Sequence, residues 1–126
     1  MGFNFQLGAK LMRNTPITLA AALGAATTAP SVASPALFTP GAMTVNEPTQ
    51  VTFWASGTFG TSTMATLQIE ASPDTPNTPD NVSEWPPVTA LAFTASEFGT
   101  FTGNALKYRA VTTSGDAGTS ITVRMT

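Results

Sequence analysis

The sequence predicts an all-β fold, an antiparallel β-sandwich over residues 48–126 preceded by an extended N-terminal arm over residues 1–47. Three observations predict it. From Thr49 onward, short segments alternate apolar and polar residues with a period of two, the spacing of a strand with one buried face. Clusters of Gly, Pro, Ser and Asp punctuate those segments at short intervals. A chain of 126 residues also fits one domain with one core, since a domain of that size buries about two thirds of its unfolded surface.

The arm comes first. Thr15 to Pro40 is small and apolar, with Pro30, Pro35 and Pro40 as repeated breaks. Ile17–Leu23 suits a strand, although Ala20-Ala21-Ala22 between Leu19 and Leu23 also suits a short helix. Lys10 and Arg13 ahead of Ile17–Ala26, with Val32-Ala33-Ser34 downstream, have the outline of a secretory leader. Pro16, Thr18 and Gly24 interrupt that pattern, so an arm is the preferred reading. The run is too short for a transmembrane helix. Met1-Gly2 lacks the Ser or Thr at position six that myristoylation uses, because Gln6 stands there.

The sandwich elements follow. In TQVTFWAS, Val51 and Phe53 share one face and Thr52 and Trp54 the other, and Gly57 ends the run. In MATLQIEA, Leu67 and Ile69 alternate with Gln68 and Glu70, and the strand stops at Ser72-Pro73-Asp74. There Pro73 removes a donor, while Ser72 and Asp74 can accept from turn amides. PVTALAF, a turn centred on Gly99, a short strand at Phe101, NALKYRAVTT and TSITVRMT complete roughly six or seven strands. The final two are expected to form a hairpin through Ser114-Gly115-Asp116-Ala117-Gly118. Immunoglobulin-like and jelly-roll-like topologies both fit this string. Tyr108 is expected to pack its ring in the core.

Composition narrows the function. The chain has neither Cys nor His, which removes disulfides, thiolate zinc sites, and the Ser-His-Asp and Cys-His nucleophile systems. Net charge is −2, and Lys10, Arg13, Lys107, Arg109 and Arg124 are spread thinly, so the clustered cations of a nucleic-acid interface are missing. Charged residues make up 10% of the chain against roughly 25% in an ordinary soluble domain. A surface of Thr and Ala is suited to wide contact with other subunits.

Several residue groups have side chains that bear on chemistry. Asp74, Asp80 and Glu84, with Asn77 and Asn81, offer oxygen ligands for Ca²⁺, but the spacing is unlike an EF-hand loop and turn roles are preferred. Glu70, Glu84 and Glu97 form no recognisable glycosidase pair. Trp54, Trp85, Phe59, Phe98, Phe101 and Tyr108 are candidates for a sugar-stacking platform, against the commoner role of such aromatics as core or interface anchors. Arg109 reads as a solvated strand cation, or as a charge pairing across a subunit boundary. No catalytic, cofactor-binding or metal-binding residue is assigned, and the chain is expected to be non-enzymatic.

A further signal lies in Gly57-Thr58-Phe59-Gly60, the T-L-Q-x-x-x-S-P-D run from Thr66 to Asp74, Trp85, and Tyr108-Arg109-Ala110. These resemble small β-sandwich virion structural proteins of tailed bacteriophages over roughly residues 57–126, with Thr75–Asn81 replacing the tight Gly-rich turn usual after S-P-D. The resemblance implies a capsid decoration or cement protein, or else a tail, fibre-base or head–tail connector component. It also implies major capsid protein or other virion proteins as partners, homo-oligomers of which trimers are common, and assembly in the host bacterial cytoplasm. Neither nucleic acid, membrane nor cofactor is expected as a partner. Phe3, Phe5, Leu7, Leu37, Phe38 and Trp85 are the expected interface residues, with a carbohydrate-binding module as the reading from a different functional class.

Overall fold

The computed structural model describes residues 15–35, 49–86 and 91–126. Eight strands appear there: β1 (Ile17–Leu23), β2 (Val32–Ala33), β3 (Thr49–Thr58), β4 (Ala65–Ser72), β5 (Ala92–Phe93), β6 (Glu97–Gly103), β7 (Lys107–Ser114) and β8 (Ser120–Met125). They form two four-stranded sheets, β1-β8-β3-β6 (sheet A) and β2-β7-β4-β5 (sheet B), with every pairing antiparallel. The pairs β1–β8 and β3–β6 lie in one sheet, and β2–β7 and β4–β5 in the other. That nesting is one long antiparallel ribbon, folded at β4–β5 and wrapped so that successive segments alternate between sheets. It is the jelly-roll arrangement, so the structure decides between the two topologies that the strand string allowed.

The core is built from the inward residues of both sheets. Sheet A contributes Leu19, Val51, Phe53, Ile121, Val123 and Met125; sheet B contributes Leu67, Ile69, Phe93, Tyr108 and Ala110, all buried. The period-two expectation therefore holds in β3, β4 and β8. Tyr108 is fully buried as expected, its ring edge-on to Phe53 with centroids 5.0 Å apart and to Phe101 at 6.0 Å. Such edge contacts place the positive ring edge against the negative face of a neighbour.

One open choice is decided and two local expectations are corrected. Ile17–Leu23 is a strand, since its residues pair with β8 from Ile17↔Met125 to Leu23↔Ile121. Two register shifts and the left-handed φ of Ala22 (50°) bend it, and the chain then crosses from sheet A to sheet B. Residues 24–34 run along β7: Ala29 N–H donates to Ala110 O (2.9 Å) and Ser34 N–H to Leu106 O (2.9 Å), while the Thr112 hydroxyl donates to Gly24 O (2.6 Å). The described part of the arm is thus built into both sheets of its own chain.

Second, Gly99 lies inside β6, opposite Phe53, and does not centre a turn. Its missing side chain leaves room for Leu91 and Phe93, which a Cβ there would meet at 3.1 and 3.4 Å.

Third, Ser114–Gly118 makes no hairpin. It carries the chain from β7 in sheet B to β8 in sheet A, and the two strands share no ladder. The positive φ values of Ser114 and Gly115 (61° and 99°) turn the chain as the turn residues suggest, but they aim it across the core.

Phe53→Ala should lower unfolding stability by about 3–5 kcal/mol, because it empties the contact between sheets against Tyr108. A urea titration checks this; a shift of under about 1 kcal/mol would contradict the packing described.

Candidate functional site: a bare face and a covered face

The two sheets treat their outer faces differently. In β7, Tyr108, Ala110 and Thr112 point inward, so Lys107 and Arg109 point out from sheet B. An outward lysine is ordinarily solvated, yet Lys107 is completely buried. The cause is the loop after β4. It leaves at Ser72 and folds back over this face, where the Lys107 ammonium donates to Thr78 O (2.6 Å), the Ser83 hydroxyl (2.7 Å) and Asp80 Oδ1 (3.2 Å). All three ammonium donors are used, as a buried cation requires.

Asp80 secures the loop from its other side. It accepts from the backbone N–H of Ser31 (2.9 Å) and from the Ser31 hydroxyl. Partial burial pushes its carboxyl up, but the bonds from Ser31 and the Lys107 charge outweigh this and hold it below its ordinary value. Trp85 closes the loop: its indole N–H donates to Asp80 O (3.0 Å), and its ring lies 4.0 Å from the Arg109 guanidinium and 5.4 Å from the Lys107 ammonium. Arg109 also binds Glu70 across the β4–β7 ladder at 2.6 Å. Arg109 is therefore paired within its own chain, in place of the solvated or subunit-bridging role expected of it.

The acidic residues considered as calcium ligands are placed apart in function. The Asp74 carboxylate accepts from the backbone N–H of Glu84 (2.7 Å) and from the Ser72 hydroxyl (3.4 Å), and Asp80 serves the Lys107 clasp. Among the described residues no three acids gather as a metal site.

At one end of the sandwich a second carboxylate organises two loops. Asp116, between β7 and β8, accepts from the backbone N–H groups of Thr61 (3.0 Å), Ser62 (2.7 Å) and Thr63 (2.9 Å) in the β3–β4 loop, and from Gly118 (2.9 Å) in its own. These donors, Thr61 first, hold its carboxyl far below the usual carboxylate range. At the flank between β1 and residues 27–32 lies an open apolar groove of about 460 Å³, lined by Leu19, Ala21, Leu23, Ala29, Pro30 and Val32 among others.

Sheet A has no such cover among the described residues. Across its outer face runs a row of paired residues, Thr18–Arg124–Trp54–Phe98, one from each strand in the order β1, β8, β3, β6. Trp54 and Phe98 stack with centroids 4.9 Å apart and planes at 28°, while remaining 47% and 62% exposed. Around them the outward positions are Thr52, Ser56, Thr100, Thr102 and Thr122. Two adjoining exposed aromatics in a field of threonines form a flat contact surface with one cation, Arg124.

Of the aromatics considered for a platform, the structure brings Trp54 and Phe98 together. Phe59 and Tyr108 are buried, Phe101 packs against the core, and Trp85 stands over the opposite sheet. Trp85, the one expected interface residue within the described region, is half-buried against its own chain. Phe3, Phe5, Leu7, Leu37 and Phe38 lie outside the described residues. Sequence reasoning missed Lys107, whose burial has no local signal.

Lys107→Met keeps the stem and removes the charge. It should cost about 1–3 kcal/mol by stranding Thr78 O and Asp80, and should speed amide exchange in residues 73–86 well beyond that in β4 and β7; equal rates would refute the clasp. Asp116 gives a pH test. Its folded pKa is depressed, so its stabilising contribution is complete above the unfolded carboxylate value of about 3.9 and fades as pH falls below it. The stability gap between wild type and Asp116→Asn should be flat from about pH 5 to 8 and narrow below about pH 4, as measured by urea unfolding across pH. No family model, curated protein or solved structure matches the chain.

Proposed function

We propose that this chain is a non-enzymatic structural protein of a bacteriophage virion, acting as a head decoration or cement protein that bridges neighbouring capsid subunits. The observation that carries the reading is the outer face of sheet A, which no described residue covers, where Trp54 and Phe98 stay exposed although the opposite face is covered by a loop of the chain itself. Exposed paired aromatics with threonines and a single arginine around them have the composition of an interface centre, which is rich in Trp, Phe and Arg and poor in other charge. The low charge of the whole chain and the resemblance of residues 57–126 to small virion proteins add to it. Jelly-roll sandwiches are found in viral capsid proteins and also in lectins and cupins, so the fold alone is compatible with several functions. A tail, fibre-base or connector location is the variant of the same reading, separated by copy number.

Carbohydrate binding is the second reading, and the same Trp54–Phe98 pair favours it, because sugar rings stack on exposed aromatic faces. The two separate experimentally. On the cement reading, particles lacking the protein should lose resistance to heat or chelator while keeping normal tails, and Phe98→Ser protein, folded as judged by its unfolding midpoint, should fail to restore it. Normal stability with absent tails would move the protein to the tail. Retention on immobilised glycans that disappears in Trp54→Ala, with particle stability unaffected, would replace the cement reading with sugar binding.

A further inference from the structure

An open sandwich has four edge strands, and each is a template for another chain unless something blunts it. Here β2 and β5 are two residues long, too short to template a partner. The edge of β1 is broken by two register shifts and the left-handed Ala22. Among the described residues, the remaining edge, β6, has none of these protections. It is seven residues long, keeps an unbroken register with β3 from Thr49↔Gly103 to Ala55↔Glu97, and contains neither Pro nor Lys. Its one charge, Glu97, sits at its first residue.

We infer that β6 pairs antiparallel with β6 of a second copy of this chain, joining the two A sheets into one eight-stranded sheet about a two-fold axis at Thr100. The residues along the strand select this partner and register. Residues directly opposite in an antiparallel pair point to the same face, so a two-fold at Thr100 sets Phe98 against Thr102 on the outer face and Gly99 against Phe101 on the inner face. Each aromatic then meets a small residue, and Thr100 meets its own copy. A two-fold at Phe101 would instead force two large rings together on the inner face. Parallel in-register pairing would set Glu97 beside Glu97, a like-charge contact that antiparallel pairing removes to opposite ends of the seam.

The product is a continuous outer surface with threonines along the seam and a Trp54–Phe98 pair on either side of it. Five facing residue pairs bury less than the roughly 1,600 Å² of a standard interface, so the dimer forms and dissociates with concentration. The inference goes beyond the virion reading and does not rest on it. A two-fold pair gives dimers, whereas the phage resemblance suggests trimers.

Thr100 is exposed on the outer face, so its side chain can be changed without entering the core. The full chain should sediment as a monomer–dimer equilibrium over the micromolar to millimolar range. Thr100→Lys should remove the dimer by placing two ammoniums at the axis, as should Thr100→Glu with two carboxylates, and mixing these two variants should restore it as a heterodimer. Because the chain has no cysteine, Thr100→Cys should oxidise to a covalent dimer whereas Gln68→Cys, exposed on sheet B, should not. A chain that stays monomeric up to about 1 mM, or Thr100→Lys dimerising as well as wild type, would overturn the inference.

Discussion

The buried ammonium of Lys107 governs how this sandwich presents itself. An uncompensated charge at that depth would be costly, and the three acceptors that compensate it, Thr78 O, Ser83 Oγ and Asp80 Oδ1, all belong to the loop after β4. The cation is therefore satisfied only while the loop lies across sheet B. The loop in turn gains its second attachment through Asp80 and Ser31, and its lid through Trp85 over Arg109. Cover, clasp and ion pair stand or fall together.

That arrangement divides the molecule. The outer face of sheet B is spent on its own chain, and its charged residues are neutralised there: Lys107 by Asp80, Arg109 by Glu70. Among the described residues, sheet A keeps its aromatics in the open, with the seven-residue edge strand β6 beside them. A protein with one finished face and one unfinished face is directional. Among the described residues, the side that carries Trp54, Phe98 and Arg124 is the one left open.

Much of this fold is legible in the sequence where side-chain alternation carries it. Val51 and Phe53, Leu67 and Ile69, and Ile121, Val123 and Met125 announce buried faces because burial on a strand repeats every second residue, and all are buried. What alternation does not encode is the partner of a strand. Ser114–Gly118 has the residues of a hairpin, and those residues do set the backbone turn; whether the next strand returns beside its predecessor or crosses to the other sheet depends on β1 and β3 offering β8 a place between them. Ile17–Leu23 was ambiguous for a related reason: three alanines lack the bulk to declare a face, and its strand conformation comes from pairing with β8. The exposed aromatic face is partly readable, since Trp54 falls on the polar side of its strand. Its stacking on Phe98 and the burial of Lys107 depend on distant segments meeting, which no local pattern records.

The position of β8 has a bearing on how the chain acquires its shape during synthesis. β8 lies inside sheet A, between β1 and β3, although it is the final strand in sequence. Until Ser120–Met125 leave the ribosome, β1 has no neighbour in its sheet and half of the barrier between core and solvent is absent. Sheet B, whose strands are all made by Ser114, can assemble earlier. Completion of the sandwich therefore waits for β8, and nascent chains stalled before residue 120 would display the apolar inner surfaces of β1 and β3 to solvent and to chaperones.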